Sequence, residues 1–256
     1  MKFSANLGFL WSDLPLPQAI HAAHAAGFDA VECHWPYATP AADTAAALHQ
    51  TGLKMLGLNT SRGNPGENGL AALPNREPDA RAAIDQAIAY ARAINTPNIH
   101  VMAGFATGPQ AHATYLNNLH YACTNASSHG ITILVEPLNR HDAPGYFLTT
   151  TTQAAQIIQT LAIPNLKLMF DCYHTARTEG DVTHRLRELL PIIGHIQIAS
   201  VPDRGTPDHG ELDHAHLFQT LKSLGYTAPI GAEYKPTKPT DETLDWLKSL
   251  RLGSNT

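Results

Sequence analysis

The sequence predicts an α/β fold, a single (β/α)8 TIM barrel, and three observations carry that expectation. The chain has 256 residues, and a barrel of this type takes about 250. Short apolar or β-branched runs alternate from end to end with Ala- and Leu-rich helical stretches, eight of each, the pattern of a parallel sheet with helical crossovers. Four of the runs close on an oxygen-bearing side chain: Glu136 ends ITILVE, Asp171 ends KLMFD, Gln197 lies in HIQIA and Glu233 ends PIGAE.

The first strand, Phe3 to Leu7, leads to a helix from Pro17 to Ala26, with proline at its start, where a missing N–H costs nothing, and Gly27 after its end. Strand Ala30 to Cys33 and helix Ala41 to Gln50 follow, the helix bracketed by Pro40 and Gly52. Strand Lys54 to Leu58 precedes a long Gly-, Asn- and Pro-rich segment, and Pro78 then opens the helix Asp79 to Ile94. Next come strand Ile99 to Met102 with helix Gln110 to Ser127, and strand Ile131 to Glu136 with helix Thr152 to Leu161. Lys167 to Asp171 pairs with helix Val182 to Leu189, and His195 to Ala199 with helix His214 to Leu224, which Gly225 ends. Strand Ile230 to Glu233 and helix Asp241 to Leu250 complete the set. Nothing resembling a linker divides the chain, so residues 1–256 are expected to form one domain.

Side chains two apart on a strand share a face. Glu32 and His34 should therefore face the barrel axis, with Val31 and Cys33 against the helices. By the same rule His195 and Gln197 point inward, and Lys167, Met169 and Asp171 form an inward set with the aspartate at the rim. Two long loops, Asn59 to Glu77 and Ser200 to Asp213, fall on the C-terminal face, where such barrels build their sites.

A net charge of -5 without any Lys/Arg cluster argues against a nucleic-acid partner. Only 15% of residues are charged, against roughly 25% in a typical domain, so a carboxylate at the end of an apolar strand needs a partner or a metal. Cys33, Cys123 and Cys172 form an odd set with no CxxC spacing, as expected of buried thiols in a reduced compartment. The opening run MKFSANLGFLW is broken by Ser4, Asn6 and Gly8 and suits neither a signal peptide nor a membrane span. A cytoplasmic protein with a small-molecule partner and no membrane partner is expected, and a homo-oligomer is compatible with all of this. The fifteen histidines are scattered and form no HExxH motif.

The four oxygen-bearing positions are separated by 35, 26 and 36 residues, each near one β/α unit, so a closed barrel gathers them at one mouth. Three carboxylates and an amide oxygen, with no cysteine, suit Mg²⁺ or Mn²⁺. Glu136 and Glu233, on the fifth and eighth strands, are expected on well-separated parts of the mouth with substrate between them, dividing acid and base duties. The competing reading has them as structural carboxylates capping helix N-termini. His174 is expected in the loop after the sixth strand as a substrate contact. Arg204 and Lys235 follow the seventh and eighth strands and suit an anionic substrate, the arginine through a bidentate grip, with solvated surface charge as the alternative. Arg62 is a third such cation, and Trp35 a candidate pocket wall.

These residues also carry a resemblance. FSANLGFLW at 3–11, AGFDAVECHWPY at 26–37, EPLNRHDAPGYFLTT at 136–150, PNLKLMFDCYH at 164–174 followed by EGD, GHIQIA at 194–199 and GAEYKP at 231–236 make the chain similar to hydroxypyruvate isomerases and 2-oxo-tetronate isomerases, within the xylose isomerase-like barrel superfamily. The resemblance implies that Glu136, Asp171, Gln197 and Glu233 bind a divalent cation, that Glu136 and Glu233 are the catalytic acid/base pair, and that His174 and Arg204 contact substrate. The chain departs from the family where substrate is read: ASVPDR at 199–204 replaces ADNPGR, CHWPY at 33–37 replaces FLFPY, and the third loop reads LNTSRGNPGENG. The implied activity is an aldose–ketose isomerisation of a short hydroxy-keto acid, with hydroxypyruvate to tartronate semialdehyde through a cis-enediolate as the leading reaction, in carbohydrate and glyoxylate metabolism. A keto-sugar 3-epimerase or 2-oxo-tetronate isomerase would use the same site. An abasic-site endonuclease would need a multi-zinc cluster and a basic face, and a non-catalytic metabolite-binding barrel is the remaining alternative.

Overall fold

A computed structural model of the chain describes residues 1–252, without the side chains of the last two; residues 253–256, the end of the expected domain, lie outside the described residues. The strands are β1 (Phe3–Asn6), β2 (Ala30–Glu32), β3 (Gly57–Asn59), β4 (Asn98–His100), β5 (Thr132–Val135), β6 (Leu166–Asp171), β7 (Ile193–Ile198) and β8 (Ile230–Ala232). They pair in the order β2-β1-β8-β7-β6-β5-β4-β3, every ladder parallel. The ring closes between β2 and the approach to β3. There Val31 bridges Met55, the Val31 N–H donates to the Lys54 carbonyl at 3.0 Å, and the Leu56 N–H donates to the Val31 carbonyl at 2.7 Å. The expected barrel is therefore present.

Its helices are α1 (Leu16–Ala25), α2 (Ala41–Thr51), α3 (Glu77–Ala93), α4 (Gly108–Ser127), α5 (Thr151–Leu161), α6 (Cys172–Thr178), α7 (Val182–Leu189), α8 (His214–Ser223) and α9 (Asp245–Leu252). Caps account for several starts and stops. Thr150 Oγ1 accepts from the Gln153 N–H at the head of α5, Asp213 from His216 at the head of α8, and Gly52 takes the left-handed conformation after α2. Helix α6 was not expected. Its seven residues are too short to show a helical period, and it starts because the Asp171 carboxylate accepts from the Tyr173 N–H at 2.7 Å. The last helix begins four residues later than expected because a 3-10 turn, Thr240–Thr243, precedes it.

The outward-facing Val31, Ile99, Ile133, Ile196 and Ile198 are fully buried with Ile20, Ala87, Leu119, Ile157 and Leu217 of the helices in one apolar cluster. The inside differs: Ser4, Asn6, Glu32, His100, His195 and Gln197 are all buried along the axis. Buried polar groups require partners, so this inner layer works as a hydrogen-bonded scaffold beneath the mouth. Among the described residues, no helix is long and apolar enough to cross a membrane.

The long segment between β3 and α3 is clipped to the exit of β4. Gly69 bridges Ala103, the Ala72 N–H donates to the Ala103 carbonyl at 2.7 Å, and Asn118 Nδ2 donates to the Ala71 carbonyl at 2.9 Å. Gly69 has φ +107°, and a Cβ there would stand 2.5 Å from the Met102 carbonyl oxygen. Gly69→Ala should therefore cost about 1–3 kcal/mol and lower the thermal midpoint by about 2–4 °C for each kcal/mol. Scanning calorimetry checks this, and an unchanged midpoint would show that the clip is dispensable.

Candidate active site

Glu136 and Glu233 are the first residues beyond β5 and β8, Asp171 is the last of β6, and Gln197 is its register partner on β7. All four are at most 5% exposed. One side-chain atom each from Glu136, Asp171, His174 and Glu233 lies within 4.8 Å of the others. This corrects one expectation: the two glutamates are not well separated. Their strands stand three apart in the ring, but both side chains lean to the axis and bring their carboxylates together. His174 is also placed differently from expectation, buried in α6 rather than in a loop.

Three buried oxygens of this group, Glu136 Oε1, Asp171 Oδ2 and Gln197 Oε1, have no hydrogen-bond partner. Leaving a buried polar atom unpaired costs about 1–3 kcal/mol, more for a charged group, so three at one place fit the hard-cation donor set read from the sequence. His174 does not fit it as a ligand. Its Nδ1 accepts from the Asn139 backbone N–H at 3.1 Å, a group that can only donate, and lies 2.7 Å from Asn139 Nδ2. The neutral ring then carries its proton on Nε2, 3.6 Å from Asp171 Oδ2 and 3.9 Å from Glu136 Oε1. That nitrogen is a donor. Gln197 supplies the remaining oxygen, because its Nε2 is already spent on Glu32 at 2.8 Å.

Arg204 sets the electrostatics. Its Nη2 donates to Glu233 Oε2 at 2.5 Å and stands 3.6 Å from Asp171 Oδ2, while its Nη1 is 3.5 Å from Asp142. Phe9 and Tyr173 rings lie 4.9 and 5.0 Å from the guanidinium carbon. The residue reaches inward from a left-handed backbone, φ 57°. Its N–H donates to the Ser200 carbonyl at 3.0 Å and its carbonyl accepts from Lys235 at 2.7 Å.

The two glutamates respond in opposite directions. Burial, then the charges of Glu233 and Asp171, push the Glu136 carboxyl well above its ordinary range, and Arg204 offsets only part of this. Burial acts upward on Glu233 as well, but Arg204 and the His34 ring, whose Nε2 is 3.0 Å away, outweigh it and hold that carboxyl well below the usual range. Asp171 is pushed up to about 7, chiefly by burial, with Arg204 pulling back. Burial holds both His174 and His100 down at about 3. His100 Nδ1 lies 3.3 Å from Glu136 Oε2.

Above the acids opens a cleft of about 300 Å³ whose lining includes Phe9, Trp35, Arg62, Asn68, Met102 and Lys235. Arg62 stacks on Trp35 at 4.7 Å, and Lys235 Nζ stands 5.8 Å from the Phe9 ring. A roomier groove of about 550 Å³ between the β7–α8 loop and α9 holds none of the clustered acids. The sequence reading brought Glu136, Asp171, His174, Gln197, Arg204, Glu233 and Lys235 to one mouth, as found. It missed Asn6, whose Nδ2 donates to Glu233 Oε1 at 2.9 Å, and it missed His100. Both end axis-facing strands, the only signal available for them.

The family model of the xylose isomerase-like TIM barrel matches residues 20–250. The 2-oxo-tetronate isomerase of Cupriavidus necator is 44% identical over 253 residues, 96% of this chain and 97% of that one. The putative hydroxypyruvate isomerase of Mus musculus is 41% identical over 262 residues, 97% of this chain and 95% of that one. A crystal structure titled AP endonuclease, family 2, from Brucella melitensis superposes with a TM-score of 0.93 at 36% identity, covering 97% of this chain and 98% of the other. With eight parallel strands, a cluster of acids at the mouth and relatives of this identity over nearly its full length, the chain belongs to the hydroxypyruvate isomerase and 2-oxo-tetronate isomerase family, isomerases on the xylose isomerase-like TIM barrel.

Proposed function

We propose that this isomerase interconverts hydroxypyruvate and tartronate semialdehyde, moving a proton between neighbouring carbons of a short hydroxy-keto acid. One observation carries the reading: two buried glutamates meet at the mouth in opposed surroundings, Arg204 and His34 drawing the Glu233 carboxyl down while burial and the neighbouring acids push the Glu136 carboxyl up. Such a pair supplies a base and an acid at the same pH. Glu136, Asp171, Gln197 and Glu233 would hold Mg²⁺ or Mn²⁺. When bound, the ion supplies positive charge beside the two reacting oxygens and makes the C–H more acidic.

The chain's own groups divide the remaining work. Glu233 takes the proton from C3 as the C–H electron pair forms the C2–C3 double bond and the carbonyl pair moves onto the C2 oxygen, giving the cis-enediolate. Glu136 takes the C3 hydroxyl proton and delivers it to C2 as the C3 oxygen becomes the new carbonyl, and the proton on Glu233 passes to the C2 oxygen, which restores both glutamates. The His174 Nε2–H donates to a substrate oxygen, and Arg204, adjoining Glu233, contacts the oxygens of the reacting carbons. Arg204 is already engaged by three acids, so the substrate carboxylate falls to Lys235 and Arg62, whose partners among the described residues are rings rather than acids. The proposal includes a cytoplasmic enzyme, in keeping with three buried free cysteines, and no nucleic-acid partner, in keeping with a net charge of -5.

A four-carbon 2-oxo-tetronate is the second reading, favoured by the 44% identical relative of that name. Incubating the enzyme with hydroxypyruvate, 2-oxo-tetronate and C4 to C6 ketoses, with product detected by NMR, ranks these. Turnover of ketoses alone would replace the reading with epimerisation, and nicking of abasic DNA without isomerisation would replace it with nuclease chemistry.

Glu233→Gln should lower kcat by about 10²–10⁴ with the fold intact by circular dichroism; near-normal turnover removes Glu233 from the mechanism. In D₂O a single turnover should introduce solvent deuterium at C2, whereas full retention of the substrate hydrogen would mean hydride transfer. The cation has to displace the proton of Asp171, which persists up to about pH 7. Because the Glu136 carboxyl, a second ligand, is also pushed up, Mn²⁺ affinity should rise with pH by at least about tenfold per unit below 7 and go on rising above it. Calorimetric titrations across pH 5 to 8 measure this, and a flat profile contradicts the assignment of Asp171 as a ligand.

A further inference from the structure

Beneath the mouth, the Glu32 carboxylate crosses the barrel interior from β2 to β7. Ser4 Oγ donates to it at 3.1 Å, Asn6 Nδ2 at 3.1 Å and Gln197 Nε2 at 2.8 Å, and His195 Nε2 stands 2.5 Å away. The carboxylate can cross because Gly231 leaves a gap in the inner layer. That glycine is in register with both Ser4 and Gln197, and a Cβ on it would lie 2.6 Å from Glu32 Oε1 and 2.8 Å from Gln197 Cγ.

A glutamine amide presents either its oxygen or its nitrogen to a given side, and only the oxygen suits a cation. Glu32 Oε1 accepts from the Gln197 nitrogen and so leaves the amide oxygen on the opposite side, buried and without a hydrogen-bond partner. Asn6 is locked the same way. Its Oδ1 accepts from the Gly8 N–H at 2.9 Å, which turns Nδ2 toward both Glu32 and Glu233.

We propose that Glu32 is a positioning residue: from below the site it sets the Gln197 amide oxygen toward the acid cluster and, through Asn6, steadies Glu233. The proposal rests on the functional reading above, because it assigns Gln197 to the cation. It extends that reading to a group that touches neither substrate nor ion. Outer partners of metal ligands are commonly worth 10–100-fold in affinity or activity.

The test is Mn²⁺ binding by the purified protein, read from the free-ion signal in electron paramagnetic resonance, for wild type, E32Q, Q197E and the exchange variant E32Q/Q197E. In E32Q the new amide competes for the Gln197 nitrogen's position, and Mn²⁺ should bind about 10–100-fold more weakly at an unchanged thermal midpoint. The exchange adds a carboxylate at the site and is therefore read against Q197E alone: with a donor restored at position 32, E32Q/Q197E should bind Mn²⁺ more tightly than Q197E, where Glu32 faces a second carboxylate, a difference that a merely structural role would not give. Should E32Q melt early, E32D keeps the charge beside His195 but withdraws from Gln197; weakened Mn²⁺ binding at a normal midpoint supports the proposal equally. Wild-type affinity in folded E32Q or E32D overturns it while leaving the isomerase reading intact. Wild-type protein that takes up no Mn²⁺ overturns both the proposal and the cation site it serves.

Discussion

The guanidinium of Arg204 is the constraint on which the mouth of the barrel depends. Glu136, Asp171 and Glu233 converge on one buried point, and like charges so close in a poorly solvated place cannot all ionise. Arg204 stands nearest Glu233, then Asp171. The resulting gradient runs from Glu233, held down, through Asp171, raised by burial and partly drawn back, to Glu136, pushed up the most freely. The chemistry needs that inequality more than it needs three acids, since a base and an acid must coexist at one pH.

The barrel keeps this arrangement rigid by filling its inside with hydrogen-bonding side chains while the outside of each strand packs on helices. Val31 illustrates the outer role and Glu32, its neighbour, the inner one. The inner layer fixes orientations that charge alone leaves open, such as which end of the Gln197 amide faces the acids. Loops clipped to the strand ends add the variable part. The segment carrying Arg62 and Asn68 is tied to β4 by the Gly69–Ala103 bridge, and the one carrying Arg204 is tied to β8 through Lys235. Metal-ligand candidates on strand ends and substrate-reading cations on loops are thereby kept on separate parts of the chain.

The eight strands, the gathering of the strand-end oxygens and the inward face of Glu32 were legible because each depends on local periodicity and on the fixed length of a β/α unit. Glu136, Asp171, Gln197 and Glu233 could be placed at one mouth from spacing alone. Helix α6 was not legible, because its start is a side-chain cap and its length falls short of two helical turns. The closeness of Glu136 to Glu233 was misjudged for a related reason: strand order gives the separation of backbones around the ring, not the reach of side chains toward its axis.

The sequence by itself determined the closed barrel, the oxygen-bearing side chains at its mouth and the scarcity of competing charge, since all of these follow from pattern and composition. Tertiary structure decided in which direction each buried carboxyl is shifted, which nitrogen of His174 carries hydrogen, and which acids Arg204 occupies. Those choices are made by contacts between residues far apart in the chain, Arg204 with Asp142, Asn139 with His174 and Glu32 with Gln197. Their energies depend on distance and burial, which no local run of residues encodes.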